Sequence, residues 1–137
     1  MIDLSEMAEY VDNAAAQGVP ALVATAGADG QPNLAFKGSL MVWDKDHLAF
    51  WERAKGSTLT DLQENPKIAA VYRNREAGKT WRFWGEVELL ESGPLRDQIM
   101  GRTIQAELDR DPERTGVAVL IRVDRVSGAG VEQRREG

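Results

Sequence analysis

Turn chemistry recurs along this chain at hairpin spacing, and that pattern removes most folds from consideration. Gly27-Ala28-Asp29-Gly30, Asp44-Lys45-Asp46 and the polar stretch 74–79 each separate two short apolar runs. An Asp-Gly pair between such runs favours a tight antiparallel reversal, and no interval reads as a regular βαβ crossover. The runs predict strands over 19–26, 33–43, 47–52, 67–73, 80–90 and 116–126. Six strands with hairpin-like links predict an antiparallel meander, and closing it into a small barrel protects its edges.

Helical spacing appears in three places. Leu4, Met7, Ala8, Val11 and Ala15 predict a helix over 3–17, with Asp3 and Glu6 suited to a capping box and Gly18 as its stop. Ser57 or Thr58 suits the cap of a short helix over 57–64 that must end before Pro66. Ile99, Met100, Thr103, Ile104 and Leu108 predict a third over 95–108, after the Gly93-Pro94 break. Residues 128–137 are Gly-rich and charged, and are expected to fray.

Composition narrows the function classes. A chain of 137 residues with 42% hydrophobic and 28% charged residues suits one domain over 1–137. With no cysteine and one histidine, disulfides, thiolate nucleophiles, His-rich metal sites and a Ser-His-Asp triad are not expected. His47, directly after a turn, reads as a strand-edge residue. The net charge of −5 argues against nucleic-acid and membrane partners. The opening residues lack a secretory pattern and no apolar run is long enough to span a bilayer, so a cytoplasmic location is expected.

The richest local chemistry lies at Phe50-Trp51-Glu52-Arg53-Ala54-Lys55-Gly56-Ser57-Thr58, where a strand runs into a helix N-terminus. Unpaired backbone N–H groups and the helix dipole attract an anion there, and Arg53, Lys55, Ser57 and Thr58 add donors. A solvated turn with Ser57 as an ordinary cap is the competing reading. In the second strand, Leu34, Phe36, Leu40 and Val42 fall on one face, and Asn33, Ala35, Lys37, Ser39 and Met41 on the other. Lys37 and Ser39 therefore project together, toward a ligand or toward solvent.

Several segments taken in order carry a family resemblance: Asp29-Gly30-Gln31-Pro32, Leu48-Ala49-Phe50-Trp51, Arg53-Ala54-Lys55, Leu62-Gln63-Glu64-Asn65-Pro66-Lys67-Ile68-Ala69-Ala70-Val71 and Phe83-Trp84-Gly85-Glu86-Val87. The chain resembles the pyridoxamine 5'-phosphate oxidase-like family, closely over 17–91. The resemblance implies a mainly β, six-stranded antiparallel split β-barrel that forms a homodimer, with FMN in a groove between subunits. It assigns the phosphate to Arg53, Lys55, Ser57 and Thr58, the ring edge or ribityl chain to Lys37 and Ser39, and the groove walls to Trp51 and Trp84. The same strand's Trp81 and Phe83 are expected in the core or the subunit interface, with Gly85 allowing close backbone approach.

The resemblance also implies an FMN-dependent oxidoreductase acting on a small-molecule substrate, with the flavin carrying the hydride and no side chain required as nucleophile. Residues 128–137 lack the Trp- and Arg-containing C-terminal segment of true pyridoxamine 5'-phosphate oxidases, so vitamin B6 oxidation is not expected. A deazaflavin-dependent reductase and a non-enzymatic flavin- or heme-binding module are the alternatives.

Overall fold

In the computed structural model, which describes residues 1–136, eight strands form one antiparallel sheet. They are β1 Ala21–Ala26, β2 Pro32–Lys37, β3 Met41–Asp44, β4 His47–Glu52, β5 Lys67–Asn74, β6 Lys79–Leu90, β7 Val117–Gly128 and β8 Val131–Arg134. Pairing runs β2-β1-β5-β6-β7-β4-β3, with β8 added along the later part of β7. A 3₁₀ turn at Ser5–Met7 leads into α1 (Ala8–Val11); α2 is Ser57–Glu64, α3 Pro94–Arg102 and α4 Gln105–Leu108. No helix among the described residues is long and apolar enough to cross a membrane.

The sheet has to curl. β2 and β3 stand at opposite ends of the pairing order, yet only Gly38, Ser39 and Leu40 connect them. Four Cα steps reach about 14 Å at most, so the two ends of the sheet lie side by side and leave a split between them. The expected single strand over 33–43 is therefore two strands, because residues 38–40 carry the chain across that split. Side chains bridge it: the Lys37 ammonium meets both Glu52 carboxylate oxygens at 3.0 and 2.8 Å, and the Trp51 amide donates to Ser39 Oγ at 2.9 Å.

Alternation then sorts the side chains. Ala35, Val23, Ala70, Phe83 and Val126 are successive cross-strand partners and line the barrel interior. Leu4, Met7 and Val11 plug it with Leu48, Phe50, Tyr72 and Trp81. On the outside of β3, β4 and β7, Met41, Ala49, Trp51 and Ala118 form a second core with Ile99 of α3 and Leu108 of α4. Opposite the β7 bulge at Asp124, a Cβ on Gly85 would collide with the Arg122 carbonyl, which bears out the expected close approach.

Four further expectations change. Past Val11 the chain coils to Gly18 as separate turns, with Asp12 Oδ1 accepting the Val42 amide at 2.8 Å. The Asp3 carboxylate serves Ser5, through its amide and hydroxyl, in place of a capping box with Glu6. The 95–108 helix is broken at Thr103 and Ile104, both extended: Arg102 is drawn to the Val42 and Trp43 carbonyls while Thr103 Oγ1 caps Ile99 O. The tail does not fray through residue 136. Positive φ at Gly128, Ala129 and Gly130 reverses the chain, β8 pairs with β7, and the Met1 amino group donates to the Arg134 carbonyl. Gly137 lies outside the described residues.

Candidate functional site

The residues singled out from the sequence fall into three places. Lys37, Ser39, Trp51 and Arg53 line a cavity of about 440 Å³ beside the split, together with Phe36, Glu52, Glu107 and Arg110. Lys55, Ser57 and Thr58 sit at the start of α2. Trp84 is apart from both, on the outer face of β6.

The strand face bearing Lys37 does carry Asn33 and Ala35, as alternation requires, but it points inward. Leu34 and Phe36 point out and are 69% and 68% exposed. Lys37 is held by Glu52, which is itself buried, and its ammonium also lies 5.6 Å from the Phe50 ring centroid. A buried ion pair loses about 3–5 kcal/mol when one partner is removed, because the other charge is stranded. Ser39 is buried too, its hydroxyl engaged with the Trp51 amide and carbonyl. Both residues first fasten the split.

Trp51, although it lines this cavity, is packed in the outer core with an accessible fraction of only 2%. The Arg96 guanidinium lies 4.8 Å from its ring centroid, and Nε1 donates to Asp111 Oδ2 at 2.9 Å. That carboxylate also accepts the Thr115 and Gly116 amides and the Thr115 hydroxyl. Burial alone would raise the Asp111 pKa, but these donors outweigh it and hold the carboxyl below its ordinary value.

At the junction, β4 ends at Glu52 and four residues lead into α2. Gly56 is the N-cap, with no side chain capping the helix, so its first turn presents amide donors outward. Lys55 is exposed and adopts φ 51°, a left-handed conformation unusual for a lysine. Ser57 is no ordinary N-cap: its Oγ accepts from Asn33 Nδ2 at 2.8 Å, tying α2 to β2. Thr58 is buried, and Arg53 Nε donates to Glu107 Oε2 at 3.1 Å. Backbone amides, Lys55 and, once released, Arg53 suit a phosphate; among the described residues no acid pairs with Lys55.

Trp84 belongs to an apolar outer surface that registers row by row. One row is Leu34, Ala24, Ala69 and Trp84; the next is Phe36, Leu22, Val71 and Arg82. A shallow depression of about 180 Å³ lies along them, and Arg125 stacks 4.5 Å from the Trp84 ring centroid. Among the described residues, no helix covers these rows.

Sequence reasoning missed Glu52, Glu107 and Arg110. Glu52 sat inside the junction motif and its acid could have been paired with Lys37. Nothing local links Glu107 to a partner 54 residues away.

The pyridoxamine 5'-phosphate oxidase family model matches residues 9–128. The chain belongs to this family. Among solved structures, HupZ of Group A Streptococcus is 25% identical, with a TM-score of 0.70, covering 96% of this chain and 98% of its own. An FMN-binding protein of Syntrophomonas wolfei, 14% identical, gives 0.68 over 94% and 90%. General Stress Protein 26 of Bacillus anthracis, 18% identical, gives 0.69 over 96% and 98%. The last two show the shared split-barrel fold. No match is found among curated proteins.

Proposed function

We propose that this member of the family binds FMN and works as a homodimeric FMN-dependent oxidoreductase on a small substrate. The observation that carries the reading is the α2 N-terminus: an uncapped first turn, with Lys55 exposed in a left-handed conformation beside it and Arg53 close in sequence. Non-glycine residues in that conformation persist where the surroundings impose it, and they concentrate at ligand sites.

In this reading the backbone amides of the first turn of α2, Lys55 and Arg53 hold the phosphate, with Ser57 and Thr58 framing it. Lys37 and Ser39 keep the split closed, so that the cavity wall is rigid where the ligand lies against it. The bound flavin supplies the hydride chemistry. The protein supplies orientation and the exclusion of water. A second copy of the chain, seated on the uncovered outer rows, turns the groove into one shared by two subunits, and Trp84 reaches it only across that boundary. A cytoplasmic setting goes with this reading.

The absorption spectrum of the purified protein, with the released cofactor identified by mass, separates FMN from a deazaflavin or heme. Lys55→Ala then tests the anchor: FMN affinity should fall about ten- to hundredfold, the worth of a charge-assisted hydrogen bond, while riboflavin binding stays unchanged. Equal loss for both ligands, or none for either, rejects Lys55 as the phosphate anchor.

A further inference from the structure

The cavity beside the split contains two acids, and they are held very differently. Glu52 has both carboxylate oxygens on the Lys37 ammonium, and its side chain is 2% exposed. Glu107 makes a single contact of 3.1 Å with Arg53, in a pair whose side chains are 32% and 17% exposed. A buried, doubly bonded pair resists separation by several kcal/mol, whereas a single partly exposed pair is worth about 0–1 kcal/mol. Only Glu107 is displaceable.

The local architecture fixes the backbone around Glu107 and leaves its side chain partly exposed. It sits on α4, a four-residue helix that follows two extended residues and has no side-chain cap. The segment is pinned on either side, by Arg102 on the Val42 and Trp43 carbonyls and by Asp111 on Trp51 Nε1 and the Gly116 amide. Leu108, its neighbour, is seated in the outer core. The carboxylate itself rests over Gly38, where a Cβ would collide with Glu107 Oε1. Gly38 does not have a positive φ, so what this glycine provides is space. A carboxylate is thus seated against the Arg53 guanidinium inside the cavity, over a glycine that leaves it space.

We propose that Glu107 is the built-in counter-ion of Arg53 and sets the charge selectivity of the groove. The inference rests on the phosphate reading of Arg53 given above. An incoming phosphate wins Arg53 by bringing more negative charge and further acceptor oxygens, with the α2 amides and Lys55 to hold them. A neutral ligand does not displace Glu107. Its side chain therefore raises the threshold for anions and leaves neutral analogues untouched.

Glu107→Gln keeps the shape and removes the charge. Titrated with FMN and riboflavin, this variant should bind FMN about two- to fivefold more tightly than the parent, matching the modest worth of the pair, with riboflavin unchanged. Unchanged or weaker FMN binding overturns the proposal. An Arg53→Ala arm separates the two ideas: if it leaves the preference for FMN over riboflavin intact, the phosphate reading of Arg53 fails.

A second readout does not depend on flavin. Inorganic phosphate is titrated while the Arg53 Nε–Hε resonance is followed by NMR. The signal should shift, and should half-saturate at lower phosphate in Glu107→Gln than in the parent. A resonance indifferent to phosphate in both proteins, or equal half-saturation, overturns the counter-ion role whether or not FMN binds.

Discussion

The outer surface of the sheet has two halves that the same strand chemistry treats alike and the tertiary structure treats oppositely. Over β3, β4 and β7, the outward Met41, Ala49, Trp51 and Ala118 are sealed beneath α3 and α4. Over β2, β1, β5 and β6, no helix among the described residues seals the outward Leu34, Phe36, Leu22, Val71 and Trp84; Leu34 and Phe36 are exposed and only Arg125 lies on Trp84. β4 consequently buries both faces, whereas β2 buries neither completely. The contrast teaches that the apolar content of a strand does not say which side is the core. It says how many sides must be covered, and the uncovered half is where we place the second copy.

Substitution at the covered half is the strongest challenge to this division. Trp51→Ala removes a fully packed indole and takes one of the four donors from the Asp111 carboxylate, and should cost about 3–5 kcal/mol in urea unfolding. A loss under about 1 kcal/mol, as for a surface change, would mean that the α3–α4 cover is not a core.

Acid sharpens the same half. Because Asp111 has a pKa below its ordinary 3.8 in the folded chain, its contribution to stability is complete above about pH 4 and disappears as pH falls through the lowered value. The unfolding free energy of the parent should therefore drop more steeply below pH 4 than that of Asp111→Asn. Equal slopes would show that the Trp51–Asp111 cage is not what acid removes.

The smallest effect on folding is expected from the bare half. Replacing Leu34 and Phe36 together by serine should leave the unfolding free energy of the dilute chain within about 1 kcal/mol, since each is an exposed side chain. Sedimentation should nevertheless change from dimer to monomer, because exposed apolar rows of this kind mark association surfaces. A parent that already sediments as a monomer, or a variant that remains dimeric, breaks the link between the bare half and the partner.

Local chemistry alone determined much of this molecule. Turn residues and alternation announced an antiparallel barrel, and the Arg53–Thr58 stretch announced a strand running into a helix N-terminus, because these features depend on neighbours a few residues apart. Tertiary structure decided the rest. Whether Leu34 and Phe36 or Lys37 and Ser39 faced inward was set by β2 pairing with β1 and then crossing the split, and alternation is symmetric with respect to that choice. The break at residues 38–40 arose from sheet closure. The Asp111 seat for Trp51 and the Glu107 hold on Arg53 join residues that no periodicity connects, since hydrogen bonds and ion pairs are specified by proximity in the folded chain and leave no spacing signature along it.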